Sequence, residues 1–220
     1  MMPADRVAQL LRCAVSPQEA ERAGGEAELR QMETQDGFTK HLMTLAACRD
    51  LDTQTRWLAV MYLKNQIGRF WQRRTGIPYE ISDEEKTAVR SGCLPLSLDA
   101  DDNIATQAAL VVARIVRFDY PRVWSDAMPL IARAVEQHMP AHPLADNAAG
   151  IQVTRVLHYC LKELGTKRLV HDRRAFFQVA PAFLSLMLQF WCSRQCSRAP
   201  CHPHAATCDR LAFGARSIGK

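Results

Sequence analysis

The segment Thr55–Trp71, TRWLAVMYLKNQIGRFW, restricts the fold of this chain more than any other. Apolar residues run without a break from Trp57 to Leu63. A buried strand can read this way, but no Gly or Pro interrupts Thr53–Ile67, and Leu, Met, Ala, Lys and Gln are good helix formers. A helix that is apolar around most of its circumference has to be covered on several sides. Lys64, Asn65 and Gln66 break the run, and Asn65, Arg69 and Arg73 recur at helical spacing as one polar stripe. The segment therefore predicts a helix packed between neighbours, with one face left open.

The rest of the chain also reads as helix. Val7, Leu10 and Leu11 form one apolar face. Ser16-Pro17, with Glu19 following, predicts a helix start, and that helix runs to about Gln35 despite Gly24-Gly25. Asp36-Gly37 is a turn, and Phe38–Cys48 a third helix with Leu42, Leu45 and Ala46 inward. Leu51-Asp52 opens the long helix, which is expected to end near Arg74, before Gly76 and Pro78. Ser82-Asp83-Glu84-Glu85 is a capping box, so helix five starts there and ends near Pro95. Asp102 or Asn103 caps helix six, Ile104–Phe118. Tyr120-Pro121 starts helix seven, which runs to about His138 with a bend at Pro129. Helix eight covers Ala148–Leu164, and helix nine runs from Asp172 to about Trp191 with Pro181 inside.

These helices repeat. Leu51-Asp52 precedes one long helix, Leu98-Asp99 another about 47 residues on, and Leu144-Ala145-Asp146 a third after about 46 more. Each time a shorter helix comes first and a longer one second. Paired helices at a period of ~40–47 are the HEAT/armadillo pattern. The expected fold is all-α, an α-α superhelix of about four helix pairs plus a further helix. Each pair cannot bury its apolar faces alone; stacking buries them and leaves a concave surface.

Composition narrows the function. The formal charge is +5 over 220 residues, but Cys192–Lys220 holds Arg194, Arg198, Arg210, Arg216 and Lys220 against Asp209 alone. That tail carries +4 and the main body only +1, which does not support a nucleic-acid face. No segment reaches the ~18 uncharged apolar residues of a membrane span, and Met1–Ala14 is no secretory signal. An intracellular, reducing compartment follows as the expectation. Cys13, Cys48, Cys93 and Cys160 stand singly among apolar neighbours, as buried thiols do.

Catalytic signatures are absent from the sequence: no nucleophile elbow, phosphate loop or HExxH is present. His41, His138, His142, His158 and His171 are isolated, and Pro140 separates the one pair at helical spacing. Glu84 and Glu85 are read as capping residues rather than a paired acid site. The tail alone has soft ligands for zinc, in Cys192, Cys196, Cys201, His202, His204 and Cys208, at spacings that match no common zinc knuckle or finger. Its composition shifts abruptly to Arg, Pro, Ser, Ala and Cys. The simpler reading is that residues 1–191 are the solenoid and 192–220 a disordered or aberrant tail, as from a retained intron or frame change, with no metal and no cofactor.

The long helix also carries a resemblance. Arg56-Trp57-Leu58-Ala59, Tyr62-Leu63-Lys64-Asn65, Ile67 and Arg69-Phe70-Trp71 resemble the N-terminal domain of importin-β-type nuclear transport receptors (karyopherins), closest to the importin-eleven subgroup. Ser82–Lys86 with Arg90, Ile104–Gln107, Ala113–Arg117 and Asp119–Trp124 follow in the same order. The resemblance covers roughly Met1 to Trp191 and implies a non-enzymatic receptor whose first repeats bind the GTP form of the small GTPase Ran. Contacts come chiefly from the second helix of each repeat, on the concave side. The candidates are the stripe Asn65, Arg69 and Arg73 with Lys64 beside it, of which Lys64 and Asn65 sit where the family's LKN motif lies, together with Arg114 and Arg117 on the second helix of the next repeat; Trp57 and Trp71 are read as packing residues. Cargo proteins and nucleoporins are the further partners of a full-length relative, and the implied locations are nucleus, cytoplasm and nuclear envelope. Helices in the family continue well beyond Trp191, so the expectation is a shortened chain. A helical-repeat scaffold without GTPase dependence, or a truncated product exposing Phe176, Phe177, Phe183, Leu184, Leu186 and Leu188, are the alternatives.

Overall fold

The computed structural model describes residues 4–138, 148–167, and 173–188 apart from 175, 179 and 186. The described residues form eight named helices: α1 (Ala4–Ala14), α2 (Glu19–Met32), α3 (Phe38–Ala47), α4 (Thr53–Phe70), α5 (Asp83–Leu96), α6 (Asp102–Asp119), α7 (Ala127–Gln137) and α8 (Ala148–Gly165). Helical residues continue between 173 and 188. There is no strand among the described residues, only an isolated bridge between Arg74 and Ile77.

The helices pair in sequence as α1 with α2, α3 with α4, α5 with α6, and α7 with α8. The first helices of successive pairs touch, α1 on α3 and α3 on α5, and so do the second helices, α4 on α6 and α6 on α8. This is the two-layer stack that the repeat predicts, with four pairs and a further helix. One core runs through it, from Leu11, Leu42 and Leu63 to Ile104, Ile115, Ile131 and Val156, all essentially buried. Each such side chain gains about 1.5–3 kcal/mol from leaving water, so the shared core rather than helix propensity holds the layers.

Most of the capping chemistry forms as read. Asp52 accepts from the Thr55 backbone N–H at 2.8 Å and from its hydroxyl at 2.7 Å, and these bonds hold its carboxyl below the usual range. Ser82 and Glu85 form the box: Glu85 N–H donates to Ser82 Oγ, and that hydroxyl donates to Glu85 Oε2. Glu85 Oε1 also accepts from Lys40 N–H at 3.2 Å, tying α5 to the first turn of α3.

Several boundaries differ from the sequence reading. Ser16 does not cap α2: its hydroxyl accepts from Gln18 N–H and donates to Glu21, which makes a turn, and the helix starts at Glu19. Gly25 inside α2 is explained by contact, since a Cβ there would lie 2.9 Å from Cys13 Cβ and 3.0 Å from Leu10 O. Asp101, not Asp102 or Asn103, caps α6, accepting from Asn103 and Ile104 N–H groups at 2.9 and 3.0 Å. Tyr120-Pro121 does not start α7. Val123 and Trp124 N–H groups bond back to Asp119 O, and the helix begins at Ala127. Pro129 then falls in its first turn, where no intrahelical N–H is needed.

Of the four scattered thiols, Cys93 and Cys160 are buried, whereas Cys13 and Cys48 are partly exposed. Burial pushes Cys93 up to about 12 and raises Cys160 as well. In the further helix Phe183 is buried and Phe176 packs on the core, while Phe177, Leu184 and Leu188 are exposed. Leu186, Asp146 and the whole of residues 192–220, with the six candidate zinc ligands, lie outside the described residues.

Candidate interaction face on the second helices

The polar break in α4 resolves into three different environments. Asn65 is exposed and has no partner among the described residues. Lys64 is half-buried and donates to Gln107 Oε1 on α6 at 2.7 Å, with Met61 Sδ at 3.6 Å. Gln66 points the other way and is 1% exposed, with its Oε1 unpaired among the described residues. Gln66 was read as part of the open face and belongs to the packed side. The reason is periodicity: it lies on the same side as Leu63, Ile67 and Phe70, all buried.

The polar stripe is also shorter than its spacing suggests. α4 ends at Phe70, because Phe70 O accepts from Ile81 N–H at 3.0 Å and Trp71 turns into the core. Arg73 therefore stands on the following turn, not on the helix, and is exposed there. Arg74 donates to Gly68 O at 2.9 Å, satisfying a carbonyl of the last turn. Arg69 is exposed, pairs with Glu33 and lies 4.8 Å from the centre of the Phe70 ring. On α6, Arg114 is exposed with no partner among the described residues. Arg117 instead reaches α8, donating to Glu163 O at 3.1 Å, to its carboxylate at 3.2 Å and to Thr166 Oγ1.

The six residues singled out from sequence thus divide. Asn65, Arg69 and Arg114 are open on the second helices of consecutive pairs, and Arg73 is open beside them. Lys64 and Arg117 are half-spent as ties between α4, α6 and α8. Lys162 on α8, beside Glu163, is exposed as well and extends the basic end of this layer to a third helix. From the sequence it counts only as a basic residue suited to the C-terminal turn of its helix, because no motif surrounds it.

Two buried carboxylates fix the geometry of the layer. Asp99, 6% exposed, takes both Arg56 Nη1 and Nη2, while Arg56 Nε donates to Ala46 O at 3.0 Å. Asp99 also accepts Asp101 N–H at 3.0 Å, and its own carbonyl accepts Gln152 Nε2 at 2.7 Å. Asp99, in the α5–α6 turn, therefore joins α4 and α8, and Arg56 carries the link on to α3. Burial alone raises its carboxyl, but the Arg56 and Asp101 hydrogen bonds outweigh that and hold it below the usual range. At the other end, Asp119 accepts Trp71 Nε1 at 3.0 Å and Arg90 Nε at 2.9 Å, with the Arg90 guanidinium 5.4 Å from the Trp71 ring centre. Asp99 was read as marking a helix start like Asp52. Its actual partner is Arg56, one repeat earlier.

Among the described residues, no group of three or more His, Cys, Asp or Glu is placed to hold a metal ion, and no helix is long and apolar enough to cross a membrane.

Comparison with known proteins agrees with this architecture. Residues 25–99 match the family described as Importin-beta N-terminal domain. Human Importin-11 is 32% identical over 185 residues, which is 84% of this chain and 18% of the relative. The chain thus spans under a fifth of that relative's length. Among solved structures, Lph2, a bidirectional nuclear transport receptor of S. cerevisiae, has a TM-score of 0.70 at 24% identity over 82% of this chain and 17% of its own. Kap95p, solved with RanGDP, has a TM-score of 0.62 at 18% identity over 91% of this chain and 26% of its own. These two share the fold. Through the domain that begins in α2 and ends at the α5–α6 turn, the chain belongs to the importin-β (karyopherin) family.

Proposed function

We propose that this chain binds the small GTPase Ran in its GTP form, through the open face of α4 and α6, as part of protein import into the nucleus. The reading rests on one observation above the rest. Asn65 and Arg69 on α4 and Arg114 on α6 stand exposed on the second helices of consecutive pairs, with two of the three free of internal partners. Asp99 and Asp119 hold those helices in fixed register, so the backbones that carry the donors need no ordering at binding. Guanidinium and amide donors on such a face give orientation and fast association with an acidic partner surface. The position of the face on second helices agrees with the resemblance, and Kap95p, which shares the fold, is described in complex with Ran.

Importin-family receptors act by binding, not catalysis, and the chain is not an enzyme. Coupling of GTPase binding to cargo release would be an exchange between two binding events in one stack. Shuttling between nucleus and cytoplasm, and passage at the nuclear envelope, belong to the same proposal. The test is retention of Ran, loaded with GTP or with GDP, on the immobilised chain. Selective retention of the GTP form is expected. Equal retention, or none, overturns the proposal and leaves a helical-repeat scaffold without GTPase dependence.

A further inference from the structure

The link between α4 and α5 is tethered at its two ends and loose between them. Trp71 and Ile81 are each 1% exposed, whereas none of residues 72–80 between them is buried. Arg74, Thr75, Gly76 and Ile77 make a tight turn, closed by Ile77 N–H on Arg74 O at 3.1 Å, with Gly76 at a φ of 81°. A positive φ suits glycine there. Thr75 is exposed, and its hydroxyl has no partner among the described residues. The hydroxyls of Thr44, Thr87 and Ser91, by contrast, lie on helices and donate to nearby carbonyls.

Two cations precede Thr75. Arg73 is exposed with no partner among the described residues, and Arg74 is exposed and donates to Gly68 O. With Thr75, Gly76, Ile77 and Pro78 they line an open cleft of about 370 Å³. Of the carboxylates around this link, Glu80 pairs with Lys86 and Glu33 with Arg69, while Asp36 acts on Tyr79. The turn has little to hold it shut. The Arg74–Ile77 pairing and the Arg74 tie to Gly68 secure residues 73–76, and Tyr79, edge-on to Phe70 at 5.3 Å, anchors the link behind them. A segment with so few contacts opens locally while the rest stays folded. Ser125 also follows an arginine, Arg122, but buried Trp124 beside it bonds to Asp119 O and pins that turn.

We infer that Thr75 is a phosphorylation site for an arginine-directed protein kinase, whose substrate cleft reads Arg73 and Arg74 with carboxylates. Guanidinium–carboxylate pairs are bidentate and charge-assisted, which suits such reading. In the transfer, Thr75 Oγ bonds to the γ-phosphorus of ATP, the bond from that phosphorus to the β–γ bridging oxygen breaks, and ADP leaves. The hydroxyl proton passes to the kinase's catalytic aspartate. The product carries about −1.5 to −2 charge next to Arg73 and Arg74. It cancels positive charge at the end of α4 that carries Arg69 and opposes GTPase binding there. This consequence, unlike the site itself, rests on the GTPase reading.

The test incubates the folded full chain with Mg-ATP and the catalytic subunit of cyclic-AMP-dependent protein kinase, and in parallel with casein kinase 2, which reads acidic sequences. Intact mass and peptide fragmentation locate the phosphate. Phosphate on Thr75 is expected from the first kinase and not from the second. Thr75→Ala should abolish that labelling and Thr75→Ser should keep it. Arg73→Ala, which has no internal partner to lose, should slow it about tenfold. No phosphate on Thr75, an unchanged rate in Arg73→Ala, or labelling of a synthetic peptide of residues 68–82 but not of the folded chain overturns the inference. In the retention assay, the phosphorylated chain should hold about threefold less of the GTPase than the unmodified chain. Equal retention of the two overturns the charge consequence. Loss of retention in both strikes the GTPase reading and leaves the labelling result intact.

Discussion

The buried seam and the open face of α4 use the same residue types to opposite ends. Arg56 and Arg69 lie on one helix, yet Arg56 is sealed against Asp99 and Ala46 O while Arg69 stays in water beside Glu33. Trp71 gives its indole N–H to Asp119 in the core, while Trp57 lies part-exposed at the surface. A sealed Arg or Trp fixes how one pair sits on the next. An open one is available to something outside. The difference teaches that residue type says little about role in this stack; position relative to the adjacent repeat decides it.

The contrast breaks most easily at Asp99. Asp99→Ala leaves the Arg56 guanidinium buried without its counter-charge, and should cost about 3–5 kcal/mol in urea unfolding. If the loss is below about 1 kcal/mol, the seam is not what registers the repeats. The same residue sets a pH dependence. Its folded carboxyl titrates below the unfolded value near ~3.9. The stabilisation is therefore present above that value and lost as pH falls through the lower folded value. Asp99→Asn should flatten the acid limb of the stability curve; an unchanged limb would assign acid sensitivity to other carboxylates.

The tryptophans give a second, smaller contrast. Trp71→Phe leaves Asp119 Oδ1 buried without its donor, Arg90 holding only Oδ2, and should destabilise by about 1–3 kcal/mol, whereas Trp57→Phe should stay within ±0.5 kcal/mol. Equal effects in thermal melts would erase the distinction between seam and face. On the face itself, Asn65→Glu with Arg114→Glu should weaken GTPase retention about tenfold without lowering the melting temperature, since neither side chain has a partner among the described residues. Arg117→Glu should instead cost stability, about 1 kcal/mol, through its ties to Glu163 and Thr166. The smallest effect expected is chemical. Cys93 and Cys160 should resist thiol alkylation at neutral pH while Cys13 and Cys48 react, because burial pushes the first two thiols up. Rapid labelling of all four would mean that α5 and α8 open readily.

Much of the fold was legible because its signals are local. Asp52 and Ser82 cap the helices they precede, and the Leu-Asp recurrence marks the period of the stack. Where several neighbours compete for one group, the reading slipped. Ser16 found Glu21 instead of a helix end. Tyr120-Pro121 became a turn because Asp119 O claims the Val123 and Trp124 N–H groups. In the candidate face, the four-residue spacing of Asn65, Arg69 and Arg73 was sound arithmetic applied past the end of a helix. That end is set by Ile81, which bonds Phe70 O from the following segment.

What the sequence determined by itself is the all-α repeat and its pairing, since helix periodicity and capping act over a few residues; the family it resembles was carried by the series of motifs from Arg56 to Trp124. Tertiary structure alone decided which polar groups stay open. Gln66 was buried, Lys64 and Arg117 were committed to neighbouring helices, and Asn65, Arg69, Arg114 and Trp57 were left to solvent. The physical reason is that exposure is a property of contacts about one repeat away in the chain, as Arg56 with Asp99 and Lys64 with Gln107 illustrate. No local pattern encodes those partners. Stacking the pairs brings them together.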